Sequence, residues 1–303
     1  MLQPTPAETA RRVQQLRSVA ICLVFAAFTF LQDPGRIAPD TKLDLVIDPA
    51  RFLGRALHLW EPDGFFGQVQ NQGYGYLFPM GPFFLLGKLA ALPPWVVQRL
   101  WWTLLLSLAF GGSVRLARAM SLGTDSTRLL AGLVYAVSPR MLTVLGASSV
   151  EVLPMAMAPW VLLPLVLATT GKLSLRRGAA LSGVALLCAG AVNASATIAM
   201  LPLPVLWILT RRRSAERRRL ALLWTAAVVA ATAWWAVPLL LLGRYSPPFL
   251  DYIESASVTT GVTSPPTATW RRLPTRRHRL SPSASGWATA TIRRRGRRSR
   301  QRR

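Results

Sequence analysis

Residues 178–210 read GAALSGVALLCAGAVNASATIAMLPLPVLWILT and carry no charged side chain across 33 positions. As one helix, at about 1.5 Å per residue, the run would be about 50 Å long, well beyond the roughly 30 Å hydrocarbon core of a bilayer. It therefore reads as two short membrane spans broken near Asn193. Outward from it, further apolar segments lie at 18–32, 95–113, 128–146, 152–170 and 220–242. The expectation is an all-α, polytopic membrane protein with about seven transmembrane helices.

Composition agrees with that reading. Of 303 residues, 51% are hydrophobic and only 16% charged, whereas about a quarter are charged in a soluble domain. Mean hydropathy is +0.33. The 36 Lys+Arg against 12 Asp+Glu give +24, but residues 265–303 alone hold 13 Arg and no acid, which leaves 23 minus 12, or +11, for residues 1–264. Cys22 and Cys188 sit in apolar runs and read as small core residues. With only two histidines, His58 and His278, neither a disulfide scaffold nor a Cys/His metal site is expected.

Arg11, Arg12 and Arg17 precede the first apolar segment, a layout shared by signal peptides and first spans. No small-x-small cleavage site follows, so an uncleaved helix is expected. With the N-terminus cytoplasmic, Arg115, Arg118, Lys172, Arg176, Arg177 and the RRRSAERRR segment 211–219 all fall inside, as the positive-inside rule requires. That parity holds only if 77–92 (LFPMGPFFLLGKLAAL) does not cross; Pro and Gly near its start and Pro93-Pro94 after it fit an interfacial or re-entrant segment. The expected organisation is a cytoplasmic N-terminus at 1–17, a membrane domain at 18–243 with its first external loop at 33–94, an external segment at 244–264 and an Arg-rich tail without a fold at 265–303.

The first external loop holds Asp33, Asp40, Asp44, Asp48, Glu61 and Asp63, half of all the acids. Asp48-Pro49 has the form of an N-cap followed by proline at the first helical position. Phe52, Leu53, Ala56, Leu57 and Trp60 then recur at helical spacing, so 49–60 is expected to be an interfacial helix. Gln68, Gln70, Asn71, Gln72, Tyr74 and Tyr76 follow among four glycines; this stretch suits sugar hydroxyls and equally suits a surface loop.

There is no Walker loop, H-E-x-x-H, G-x-S-x-G or spaced Cys/His cluster, so the available chemistry is that of carboxylates, amides and arginines. A carboxylate within hydrogen-bond reach of a hydroxyl does general-base work. An arginine holds a phosphate by paired charge-assisted hydrogen bonds. Together they describe glycosyl transfer from a lipid phosphate. Asp40, Asp44 and Asp48 each have a turn or cap as the plain alternative. Arg140, near the outer end of the third span, is an ionisable residue at membrane depth and so a functional candidate, with snorkelling as its alternative. Glu151 reads as a solvated turn acid unless it faces the same cavity, Asn193 as a cap at the hairpin break, and Trp95, Trp101 and Trp102 as an interfacial belt and packing.

The strings GRIAPDTKLDLVIDPARFLGRALHLWEP (35–62), QNQGYGYLFPMGPFF (70–84), QRLWWTLLL (98–106), YAVSPRMLT (135–143) and LPMAMAPWVLLP (153–164) resemble the N-terminal membrane part of AftD-type alpha-(1→3)-arabinofuranosyltransferases of actinobacterial cell-wall synthesis. The resemblance runs from about Arg17 to Ser264 and implies a GT-C architecture. It implies Asp40, which opens DTKLDL, as the catalytic base. The implied donor is decaprenylphosphoryl arabinofuranose and the implied acceptor cell-wall arabinan, that of arabinogalactan or lipoarabinomannan. Arg140, Glu151, Asp44, Asn71, Gln72 and Asn193 are the candidates for substrate and donor binding; no metal-ligating residues and no nucleic acid are expected, and assistance by a divalent ion stays open. The expected place is the plasma membrane, with the site on the external face. Two alternatives stay open: a flippase for a polyprenyl-linked sugar, for which no internal repeat is visible, and a non-catalytic remnant. Members of the family are several times longer, and after VTTGVTS the composition turns abruptly to Arg, Pro, Ser and Thr, so residues from about Ser264 are expected to be an out-of-frame product of a GC-rich gene.

Overall fold

The computed structural model of the chain describes residues 5–40, 42–61, 67–69 and 73–245. Asn71, Gln72, most of the expected external segment and the whole Arg-rich tail lie outside the described residues. A capping box between Thr5 and Glu8 starts α1 (Pro6–Phe30). This helix begins earlier than the expected span, and its apolar part is Arg12–Phe30. After it the chain forms α2 (Leu43–Ile47), α3 (Pro49–Ala56), a two-residue antiparallel ladder of β1 (Trp60–Glu61) with β2 (Gln68–Val69), and a 3₁₀ turn at Gly73–Tyr76. Then come α4 (Met80–Leu89) and α5 (Pro94–Ala119), the latter opening on proline at its first position.

Further along lie α6 (Asp125–Ala136), α7 (Pro139–Leu145), α8 (Ser149–Thr169), α9 (Leu175–Leu187), α10 (Ala194–Ala199), α11 (Pro202–Leu209) and α12 (Ala215–Tyr245). Among the described residues the architecture is all-α apart from the small ladder. Four helices among the described residues are long and apolar enough to cross a membrane: Arg12–Phe30, α5, α8 and α12. The expected single span at 128–146 is instead the pair α6 and α7, bent by 44° at Ser138-Pro139, and counts as a fifth if taken as one crossing. The run 178–210 is divided as expected: α9 has 13 residues, the chain breaks over 188–193, and Asn193 caps α10 by accepting the Ala196 N–H at 3.0 Å. Segment 77–92 holds only the 10-residue α4, about 15 Å long and half a bilayer core.

α5 is the hub and packs on α8, α6 and α1, while α8 packs on α9 and α9 on α12. Three prolines, Pro154, Pro159 and Pro164, lie inside α8. Pro159 denies the Met155 carbonyl its intrahelical partner, and the Tyr135 hydroxyl donates to that carbonyl at 2.7 Å. Ser182 Oγ donates to Val161 O at 2.7 Å and accepts from Trp224 Nε1 at 2.9 Å, which ties α8, α9 and α12 together. Gly183 lets α9 and α12 approach closely: a Cβ there would lie 2.9 Å from the Ala227 side chain.

Two expectations are corrected. The helix expected at 49–60 stops at Ala56: Phe52 and Ala56 are buried, but Leu57 and Trp60 are exposed, because the chain turns into β1. Trp101 and Trp102 are core residues rather than belt residues, since α5 is surrounded by α1, α4, α6 and α8 and leaves them no lipid face.

Candidate active site

Between α1 and α2 the described residues form no regular structure, so their backbone groups need other partners. Two buried polar side chains of α5 supply them. The Gln98 amide holds Ala38 from both sides, accepting its N–H at 2.9 Å and donating to its carbonyl at 3.0 Å. The Arg99 guanidinium donates to Gln32 O at 3.0 and 3.2 Å, to Arg36 O at 3.2 Å and to Gln98 Oε1 at 2.9 Å, and it lies 4.3 Å from the centre of the Trp102 ring. Thr29 and Thr103 hydroxyls meet at 2.8 Å beneath them. The loop is thereby clamped to the start of α5 over residues 32–38.

Two residues past the clamp, Asp40 turns inward and is only 2% exposed. Its Oδ1 accepts the N–H of Ser149 at 2.9 Å. Ser149 is the first residue of α8, whose own N-cap, Ser148, makes no side-chain capping bond. Asp40 therefore caps α8 from 109 residues away, and its negative charge faces the positive end of the helix dipole. Ser149 Oγ is held in turn by Trp101 Nε1 at 3.1 Å.

The same first turn carries Glu151, whose Oε2 accepts from Arg140 Nη2 at 2.9 Å. Glu151 is thus a helical residue in an ion pair, and Arg140, at the start of α7, is the more exposed partner. The structure brings Asp40, Arg140 and Glu151 to one helix end. Asp44 turns to an exposed pair with Arg55 at 2.7 Å. Asp48 caps α3 through the Arg51 N–H and also pairs with Lys88 of α4. The Lys88 hydrogen bond, and then the Arg51 N–H, hold the Asp48 carboxyl below the usual aspartate range. Asn193 stands beside Ala191 and Val192, against which Gly75 packs without room for a Cβ.

Sequence reasoning passed over Gln98, Arg99 and Ser149. The first two carried a signal: an amide and a charge side by side, five and six residues into an apolar helix. Ser149 carried none, because its part is played by its backbone N–H.

A helical membrane bundle whose first loop delivers a carboxylate to an inner helix end, beside an arginine–glutamate pair, has the layout of a GT-C-like membrane glycosyltransferase. The chain belongs to the family described as alpha-(1→3)-arabinofuranosyltransferase, N-terminal GT-C domain, which matches residues 24–270. It is 53% identical over 232 residues to an alpha-(1→3)-arabinofuranosyltransferase of Mycolicibacterium smegmatis, covering 77% of this chain and 16% of that protein. To the protein of the same name from Mycobacterium tuberculosis it is 50% identical over 240 residues, covering 78% and 17%. The cryo-EM structure of the arabinofuranosyltransferase AftD from mycobacteria superposes with a TM-score of 0.76 at 50% identity, over 81% of this chain and 19% of that one. The chain thus spans about a sixth of the length of the curated relatives it matches.

Proposed function

We propose that this domain transfers arabinofuranose from decaprenylphosphoryl arabinose to cell-wall arabinan, with Asp40 as the general base. The carrying observation is the burial of Asp40 at the N-terminus of α8, on the turn that also presents the Arg140–Glu151 pair. An acceptor hydroxyl gives its proton to Asp40 as its oxygen attacks the anomeric carbon, the bond to the lipid phosphate breaks, and the configuration inverts. Arg140 meets the charge growing on the departing phosphate. Glu151 keeps that guanidinium in place at rest; a carboxylate would repel the phosphate if it contacted it directly, so its part is to orient Arg140. Ser149 N–H and the Gln98–Arg99 clamp fix the position of Asp40.

The site faces the outside of the plasma membrane, with the N-terminus cytoplasmic, because that orientation puts the basic segments of the helical domain on one side. The transfer test is a chimera in which this domain replaces the matched segment of the full-length Mycolicibacterium smegmatis relative, assayed with the lipid donor and an arabinan oligosaccharide. Loss of turnover in Asp40→Asn supports the reading, and full turnover overturns it. For orientation, an impermeant maleimide added outside intact cells should label His58→Cys and spare Ser214→Cys in a background without Cys22 and Cys188; the reverse pattern refutes the topology.

A further inference from the structure

A cleft of about 890 Å³ runs between α1 and α5, apart from the Asp40 site. Its walls are apolar over most of their length, with Val19, Leu23 and Phe110 among them, and it ends at Arg115 and Arg118. The cleft follows α1 from Gln14 to Ala26, twelve residues or about 18 Å. That is close to the hydrocarbon depth of one leaflet, about 15 Å.

The charged end is not balanced by protein. Arg115 and Arg118 lie one turn apart on the same face of α5. Arg115 Nη1 donates to the Gly111 carbonyl at 3.3 Å, and its guanidinium lies 5.0 Å from the Trp160 ring, with no carboxylate partner among the described residues. Arg118 approaches Asp125 at 3.7 Å, but that carboxylate already accepts from Arg128 at 3.0 Å. Among the described residues one acid thus serves two arginines while a third has none, and no acid lines the cleft.

We infer that the α1–α5 cleft binds one anionic phospholipid, with its phosphate at Arg115 and Arg118 and an acyl chain lying along α1. The lipid belongs to the leaflet at the end where the basic segments lie, so this site is separate from the sugar-transfer site and does not depend on its chemistry. An apolar groove of leaflet depth ending in two under-compensated arginines matches both the chain and the headgroup of that molecule; a lipid without net charge fills the groove but leaves the arginines under-compensated.

The test uses the full 303-residue chain in nanodiscs of mixed phosphatidylglycerol and phosphatidylcholine, each in turn supplied as an analogue with a photoactivatable acyl chain. The expected result is that the phosphatidylglycerol probe crosslinks within residues 14–26 and 103–118, and that unlabelled phosphatidylglycerol competes while phosphatidylcholine does not. Arg115→Gln and Arg118→Gln should each weaken capture roughly fivefold. Ser107→Phe, which fills the groove and keeps both arginines, should abolish crosslinking there while the protein stays monodisperse and helical. Equal capture of the two lipids, crosslinks spread evenly over the bundle, or undiminished capture by the double arginine variant would each overturn the proposal. So would finding, in the full-length chimera, that another helix of the polypeptide occupies the cleft.

Discussion

The two ends of the bundle treat charge in opposite ways. At the end built by residues 31–40, α7 and the start of α8, polar groups are buried and held: Asp40, Gln98 and Arg99 are each at most 2% exposed and fastened to partners far along the chain. At the other end, Arg115, Arg118 and the Arg211–Arg219 segment stand exposed with few acids near them. Burying a charge costs several kcal/mol unless hydrogen bonds compensate, so it persists where position matters. Exposed cations need no such geometry and act through the membrane's field. The first end is a device for placing one carboxylate, and the second is a surface for anionic lipid.

The sharpest way to break this contrast is at Asp40. Asparagine keeps an oxygen for the Ser149 N–H, so the fold should survive, while transfer by the chimera should fall roughly 10²-fold to 10⁴-fold. If Asp40→Asn were fully active and Asp44→Asn dead, the base would be Asp44 and the buried carboxylate only a cap. Next in size is the clamp. Arg99→Met leaves the Gln32 and Arg36 carbonyls without their donor and should destabilise the domain by about 2–4 kcal/mol, read from denaturation in mild detergent. A change under about 0.5 kcal/mol would show that the loop is held elsewhere.

A smaller effect is expected at Asp48. Because its folded-state pKa is depressed, its pairing with Lys88 contributes stability above its unfolded value, and that contribution is lost as pH falls through the folded value. Melting curves of the wild type and Asp48→Asn should therefore differ near pH 7 and converge below about pH 4. Parallel curves across that range would rule out the ion pair as a contributor. Smallest is Asp44→Asn, which removes an exposed pair with Arg55 and should cost at most about 1 kcal/mol, with transfer unchanged.

Much of this was written in the chain itself. Uncharged runs of membrane length set the helical class, because a bilayer core admits only segments that satisfy their own backbones. The break at Asn193 and the caps at Thr5, Asp48 and Ser174 follow from local chemistry within three residues. The strings around Asp40 carried the family. What periodicity misread was the end of α3, where Leu57 and Trp60 keep helical spacing but the β1–β2 ladder takes the backbone. Asp48 read as a cap alone, since Lys88 lies 40 residues on in sequence.

Only the tertiary structure decided which of the loop aspartates Asp33, Asp40, Asp44 and Asp48 is buried. The sequence places Asp40, Asp44 and Asp48 four residues apart, and spacing alone does not say which turns inward. The fold separates them because Gln98 and Arg99 fix the loop backbone, Ser149 offers an uncapped N–H at a helix end, and Arg55 and Lys88 engage the other two acids. Those partners lie 11 to 109 residues away. No spacing rule reaches that far, because such contacts form only when packed helices bring the groups together.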